Sequence, residues 1–153
     1  MLDLNLESIL KFVKNSAYDA EIQKETNQIY CSLKVSNREY PLFIRIFEES
    51  ELLQLIVFFP TNIKENVVND LGRFLHHINK ELDIPGFGMD ESSMIAFYRV
   101  MLPAFGKKVD ENVLKAYLKS VILICENFGQ AIMAVANGVT SYSSILKQIQ
   151  QAK

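Results

Sequence analysis

Ile29-Tyr30-Cys31-Ser32-Leu33-Lys34-Val35 is the stretch whose reading decides the fold. Ile29, Cys31, Leu33 and Val35 alternate with Tyr30, Ser32 and Lys34, the two-residue repeat of a half-buried strand. Thr26-Asn27 reads as a turn before it, with a shorter strand around Ala20 to Lys24 upstream. Ser36-Asn37-Arg38 reads as a second turn, after which Leu42, Ile44 and Ile46 alternate with Phe43, Arg45 and Phe47. Glu48-Glu49-Ser50 interrupts that strand, and Leu52 to Phe59 forms another. The connections are too short for a crossover helix, so the strands form an antiparallel meander.

Helical periodicity brackets the meander. Leu6, Ile9, Leu10 and Val13 share one stripe of a first helix, with Asp3 or Asn5 to cap it and an end near Asn15 or Ser16. Beyond Pro60, Asn62 followed by Glu65 resembles a capping box that opens a second helix with the stripe Val67, Leu71, Phe74, Leu75, Ile78 and Leu82. Phe87 and Met89 then pair as a hairpin with Met94 to Leu102, in which Met94, Ala96, Tyr98 and Val100 share a face. Asp110 caps a long third helix with the stripe Val113, Leu114, Tyr117, Leu118, Val121, Cys125, Phe128 and Ile132. Gly129 is a candidate kink in it, Gly138 its stop, and Tyr142, Ile145, Leu146 and Ile149 make an amphipathic tail helix. The tail can pack on the core or on another chain. The fold expected is α+β: a twisted antiparallel sheet, meander plus hairpin, with helices on one face. One domain over 1–138 is followed by the tail over 139–153.

Composition narrows the function. The 153 residues carry 16 basic and 18 acidic side chains, a net charge of −2, which lacks the basic footprint that nucleic acid requires. Val121-Ile122-Leu123-Ile124-Cys125 ends at Glu126, short of the roughly 20 apolar residues of a membrane span. Met1 to Glu7 does not read as a secretion signal, which places the chain in the cytoplasm. Cys31 and Cys125 lie in apolar patterns and read as buried free thiols.

No chemistry assembles from the motifs. His76 points away from the stripe of its helix and His77 to its flank, with only Glu81 in ligand spacing, so a solvated helix surface outweighs a metal site. The serines form no Gly-x-Ser-x-Gly elbow, and Gly86-Phe87-Gly88 is a turn rather than a dinucleotide fingerprint. Glu48-Glu49 and Asp90-Glu91 read as charged hairpin tips. The expectation is a non-enzyme with no catalytic, cofactor or metal residue.

What exceeds an ordinary domain is the apolar surplus of the strands. Leu53, Leu55, Val57 and Phe59 line one face, and Leu52, Ile56 and Phe58 the other. Either helix ends or the tail cover the second face, or it binds protein, since monomers rarely expose large apolar patches. The candidate protein-binding residues are Phe43, Phe47, Leu52, Ile56 and Phe58, with Phe97 and Met101 on the later hairpin. An edge strand beside this face could accept an extended peptide by strand addition.

Leu55-Ile56-Val57-Phe58-Phe59-Pro60, Leu75-His76-His77-Ile78-Asn79-Lys80-Glu81-Leu82 leading into Gly86-Phe87-Gly88-Met89-Asp90, the strand Ile95-Ala96-Phe97-Tyr98-Arg99-Val100 and the helix Val113 to Phe128 carry a resemblance. Together they resemble the YbjN domain family of sensory transduction regulators, whose fold is similar to that of type III secretion chaperones. Asn79, Leu82, Gly86, Phe87 and Asp90 are its distinctive side chains. The resemblance implies a cytoplasmic homodimer without cofactor: a chaperone-like protein or adaptor that holds an extended segment of a protein client. The alternative it implies is a regulator of a signalling or stress pathway that acts through a transient partner or small ligand.

Overall fold

The structure is a computed structural model and describes residues 1–152. Strand β1 (Leu2–Asp3) leads into helix α1 (Leu6–Asn15), whose N-cap is Asn5: its side chain accepts from the Ser8 amide at 2.8 Å. The meander follows as β2 (Ala20–Gln23), β3 (Gln28–Val35), β4 (Arg38–Phe47) and β5 (Leu52–Phe58). After α2 (Val68–Glu81) come the hairpin β6 (Phe87–Asp90) and β7 (Ile95–Pro103), the short β8 (Lys108–Val109), the long α3 (Glu111–Ala136) and α4 (Tyr142–Gln151).

Six strands form one antiparallel sheet in the order β2-β3-β4-β5-β7-β6, so the hairpin adds to the last strand of the meander. Ile29, Cys31, Leu33, Leu42, Ile44, Leu53, Leu55, Val57, Ala96, Tyr98, Val100 and Leu102 point to the inner face and are buried. The buried stripes of α1 (Ile9, Val13), α2 (Leu71, Phe74, Leu75, Ile78) and α3 (Leu114, Leu118, Val121, Cys125, Ile132) join them in one core. This is the α+β architecture expected, with its helices on one side of the sheet. Among the described residues α3 alone is long and apolar enough to cross a membrane, but its apolar stripe is packed on the sheet as a core helix.

Several expectations are corrected. β4 begins already at Arg38, which the expected turn Ser36-Asn37-Arg38 had included, because Ser36 and Asn37 both take positive φ (50° and 64°) and close a two-residue hairpin turn. Pro41 is tolerated inside it because pairing with β5 starts only at Leu42. The Asn62–Glu65 capping box does not form: a 3-10 turn over Glu65–Val67 precedes α2, with no side-chain cap. Tertiary hydrogen bonds place that segment instead, from the Ile63 amide to Met94 O (2.9 Å) and from the Lys64 amide to Ala136 O (3.0 Å). Val113 lies outside the buried stripe of α3, 44 % exposed, because the cap at Asp110 phases the helix so that Leu114 is its first inward residue. Gly129, the candidate kink, lies inside α3, which runs unbroken through it. Pairing of β1 with β8, Leu2 opposite Val109, has no signal in the local pattern.

The tail α4 packs on α2. The Tyr142 amide donates to Asp70 Oδ2 at 2.8 Å, its hydroxyl lies 3.2 Å from His77 Nδ1, and the Arg73 guanidinium sits 5.1 Å from its ring centroid. The last residue of the expected 139–153 tail, Lys153, lies outside the described residues.

Candidate functional site: the uncovered face of the sheet

Strand register settles which side chains share the outer face. Opposed residues of neighbouring strands point the same way, so Glu21, Tyr30, Phe43, Ile56 and Arg99 form one row across β2, β3, β4, β5 and β7. Gln23, Gln28, Arg45, Gln54 and Met101 form the next, and Phe47, Leu52 and Pro103 a third. Phe58 stands opposite Phe97 on the other side of the first row. All seven candidate residues, Phe43, Phe47, Leu52, Ile56, Phe58, Phe97 and Met101, therefore lie on one face. None of them joins the core cluster beneath the helices, although Ile56 is itself buried on the outer side.

Aromatic rings run across this face. Tyr30 and Phe43 are 5.5 Å apart between centroids, Phe43 and Phe58 5.8 Å, and Phe58 and Phe97 6.3 Å, with the Arg99 guanidinium 5.6 Å from the Phe97 ring centroid. Tilted and edge-on pairs of this kind stabilise the sheet by about 0.5–1.5 kcal/mol each beyond area burial. Ile56 is walled in by its neighbours and is 6 % exposed, whereas Phe47 and Met101 are 42 % and 38 % exposed at the margin. Tyr30 was not among the candidates; its alternation with Cys31 marks it as outward, but only the register brings it against Phe43.

Polar side chains border the aromatic strip. Arg45 Nε donates to Gln28 Oε1 at 2.7 Å, and Gln28 Nε2 donates to Gln23 Oε1 at 3.0 Å. Gln54 Nε2 reaches the Met101 sulfur at 3.5 Å, and Gln54 Oε1 and Ser32 Oγ are buried without a hydrogen-bond partner among the described residues. A buried acceptor left unpaired costs about 1–3 kcal/mol.

The edge at β6 is closed at Phe87. In the alternation set by the Arg99 amide donating to Gly86 O, Phe87 turns its backbone groups away from β7. The Asn79 side chain meets them as an adjoining strand would: Oδ1 accepts from the Phe87 amide (2.9 Å) and Nδ2 donates to Phe87 O (2.9 Å). Asn79 Oδ1 also accepts from the Gly86 amide at 3.1 Å. Gly86 must lack a side chain, since a Cβ there would overlap Arg99 O. Of the other distinctive side chains, Phe87 stacks on Phe59, Leu82 packs on the core, and Asp90 accepts from the Ser92 amide (2.9 Å) and hydroxyl (2.6 Å). Those hydrogen bonds hold the Asp90 carboxyl below its usual pKa.

The remaining candidates do not converge. His76 is exposed, and His77 is engaged by Tyr142. Cys31 and Cys125 are both buried and unpaired as disulfides, and burial pushes both thiols up to about 12, with Asp19 and Glu126 adding to it. Among the described residues no three His, Cys, Asp or Glu side chains are placed to hold a metal ion.

Comparison with known proteins gives a family. Residues 5–133 match the model of the YbjN family, described as "Putative bacterial sensory transduction regulator". No curated protein matches the chain in sequence. Among solved structures, that of "YbjN, a putative transcription regulator from E. coli" is similar over 97 % of this chain and 96 % of that one, at a TM-score of 0.59 and 9 % identity, and shows the same fold. A chain of the "HopA1-SchA Chaperone-Effector Complex" is aligned over 74 % of this chain and 83 % of its own, at a TM-score of 0.44 and 17 % identity.

Proposed function

The chain belongs to the YbjN family, and from that premise we propose that it is a non-enzymatic protein-binding module, a chaperone-like protein or adaptor that works as a homodimer in the cytoplasm and holds an extended segment of a protein partner. One observation carries this reading: the outer face of the sheet, with Phe43, Ile56, Phe58 and Phe97 side by side, has no helix over it. An apolar face that no helix covers favours association. The absence of catalysis is supported by the distinctive family side chains, Asn79, Gly86, Phe87 and Asp90, whose contacts here fasten backbone and core.

The test compares the wild-type chain with Phe43→Ser/Phe58→Ser. Both residues lie outside the core, so the variant is expected to keep its far-UV circular dichroism while losing most of its binding of an apolar-surface dye. Wild-type protein that binds no dye and no peptide would sink the proposal. Sedimentation over a range of concentrations reads the homodimer, and a monomer throughout removes that part of it.

A second reading follows from the family description, a regulator that responds to a small ligand. It is favoured by the open groove between α2 and β6 lined by Gly72, Arg73, His76, Met89, Glu91 and Tyr142, beside the residue that anchors the tail. Displacement of α4 by a bound ligand would be its signature.

A further inference from the structure

Counted over all six strands, the outer face is neutral, and its charges are sorted along the strands. Lys34, Arg45 and Arg99 stand on it with Glu21, Glu39 and Asp90, three of each sign. Arg45 lies in the row Gln23, Gln28, Arg45, Gln54 and Met101, which holds no carboxylate. At the other end of the face Glu39 stands opposite Lys34, and Asp90 opposite Ile95. Between these ends lie two mainly apolar rows, Tyr30, Phe43 and Ile56 in one and Pro41, Phe58 and Phe97 in the next. Arg45 and Glu39 are about 20 Å apart along β4, too far to meet, and neither is ion-paired among the described residues. Arg45 uses Nε on Gln28, which keeps both Nη groups available as donors.

We infer that a second copy of the chain covers this face, the two sheets packed face to face with antiparallel strands about a two-fold axis that crosses the strands between the Phe43 row and the Phe58 row. The inference rests on the reading of this face as a protein-binding surface and names its occupant. A two-fold axis along the strands would exchange strands but keep rows, enclosing Arg45 where no carboxylate stands, and such unpaired charge opposes association. An axis across the strands exchanges rows, so Arg45 of each copy faces Glu39 of the other. Phe43 and Ile56 then rest on Pro41 and Phe58 of the other sheet, and Arg99 on Phe97 with Asp90 one strand further out. Glu21 gains no counterion: it faces Asp19, whose carbonyl accepts from the Ser32 amide, at the β2 margin where water screens the two. The turn of about 30° between packed sheets displaces residues roughly 10 Å from the axis by about 5 Å, within the combined reach of Arg45 and Glu39. The strands give a footprint on the order of 600 Å² before side-chain relief is counted, near the roughly 800 Å² per partner of a standard interface.

Sedimentation velocity of the full chain over a range of concentrations tests this with Arg45→Glu, Glu39→Arg and the two combined. The wild type is expected to dimerise. Each single exchange sets like charges against each other and is expected to raise the dimer dissociation constant roughly tenfold or more at low salt, and the double exchange to return it near the wild-type value. Phe43→Ser/Phe58→Ser is expected to stay monomeric with unchanged far-UV circular dichroism. An apolar-surface dye competes with the second copy, so its binding per wild-type chain falls as concentration rises through the dimer range. A dimer that survives Phe43→Ser/Phe58→Ser overturns the inference and leaves the face to another protein. Single exchanges that leave the dimer unchanged, or that weaken it without rescue in the double, overturn the antiparallel arrangement and the inference with it. A wild type that is monomeric throughout also overturns it, while dye or peptide binding by that monomer keeps the protein-binding reading. Absence of both removes that reading as well.

Discussion

Tyr40 crosses the core and sets its hydroxyl against Gly129, where a Cβ would overlap the oxygen and approach Cζ to 2.9 Å. The glycine is thus a packing requirement inside a continuous helix. Gly129→Ala gains about 1 kcal/mol of helix propensity but overpacks the site at a cost of about 1–3 kcal/mol. Urea unfolding is expected to show net destabilisation, partly relieved by Tyr40→Phe, which removes the oxygen. At the same scale, the thiols of Cys31 and Cys125 are held protonated by burial, up to about 12 from an ordinary 9.0. The folded state therefore keeps protons that the unfolded chain releases above pH 9, so this contribution is complete below about pH 9 and falls as pH rises towards 12. Thiol labelling at pH 8 should proceed only at the rate of unfolding. Both cysteines were legible as buried from alternation and stripe; the Tyr40–Gly129 contact was not, because it joins residues 89 positions apart in the sequence.

Elements were read well where local chemistry decides them. The cap Asp110 and the stop at Gly138, with φ +72°, follow from the side chain alone, whereas for α1 the structure chooses Asn5 from the two candidates Asp3 and Asn5. The turn between β3 and β4 needs positive φ twice, which Ser36 meets poorly. Ser36→Asn with Asn37→Gly is expected to raise the unfolding free energy by about 0.5–1 kcal/mol, read from the urea midpoint. Where tertiary bonds compete, local signals failed: Asn62 has capping chemistry, but Ile63 and Lys64 are tied to Met94 and Ala136. Asn79 is the reverse case, a helix-surface residue by its pattern that closes a sheet edge. Asn79→Ala removes three hydrogen bonds and should cost about 2 kcal/mol. The exposed β6 edge should also promote aggregation in light scattering, which a simple loss of stability at equal fraction folded would not.

For the whole molecule, two surfaces carry the consequences: the open sheet face and the seam between α2 and α4. The seam depends heavily on Tyr142, through Asp70, Arg73, Phe74 and His77. Tyr142→Ala is expected to lower amide protection over 142–151 by about tenfold or more while the sheet stays protected. Equal loss everywhere would mean that the tail is part of the global folding unit. The open face is the site of the proposed partner, and its seven apolar candidates were named from residue type and alternation alone.

Alternation in the sequence was enough to establish the strands, their order in an antiparallel meander, and the presence of two apolar faces where a single core needs one. It could not say which face is covered, since both satisfy a period of two equally well. Tertiary structure decided that, by laying α1, α2 and α3 against Leu42, Leu55 and Val100 and leaving Phe43, Ile56 and Phe97 without a helix. Register did the rest, because only the pairing of five strands, from Glu21 to Arg99, turns scattered outward residues into a continuous aromatic strip with two arginines. Local periodicity is a property of neighbours along the chain, and a binding surface is a property of neighbours across it.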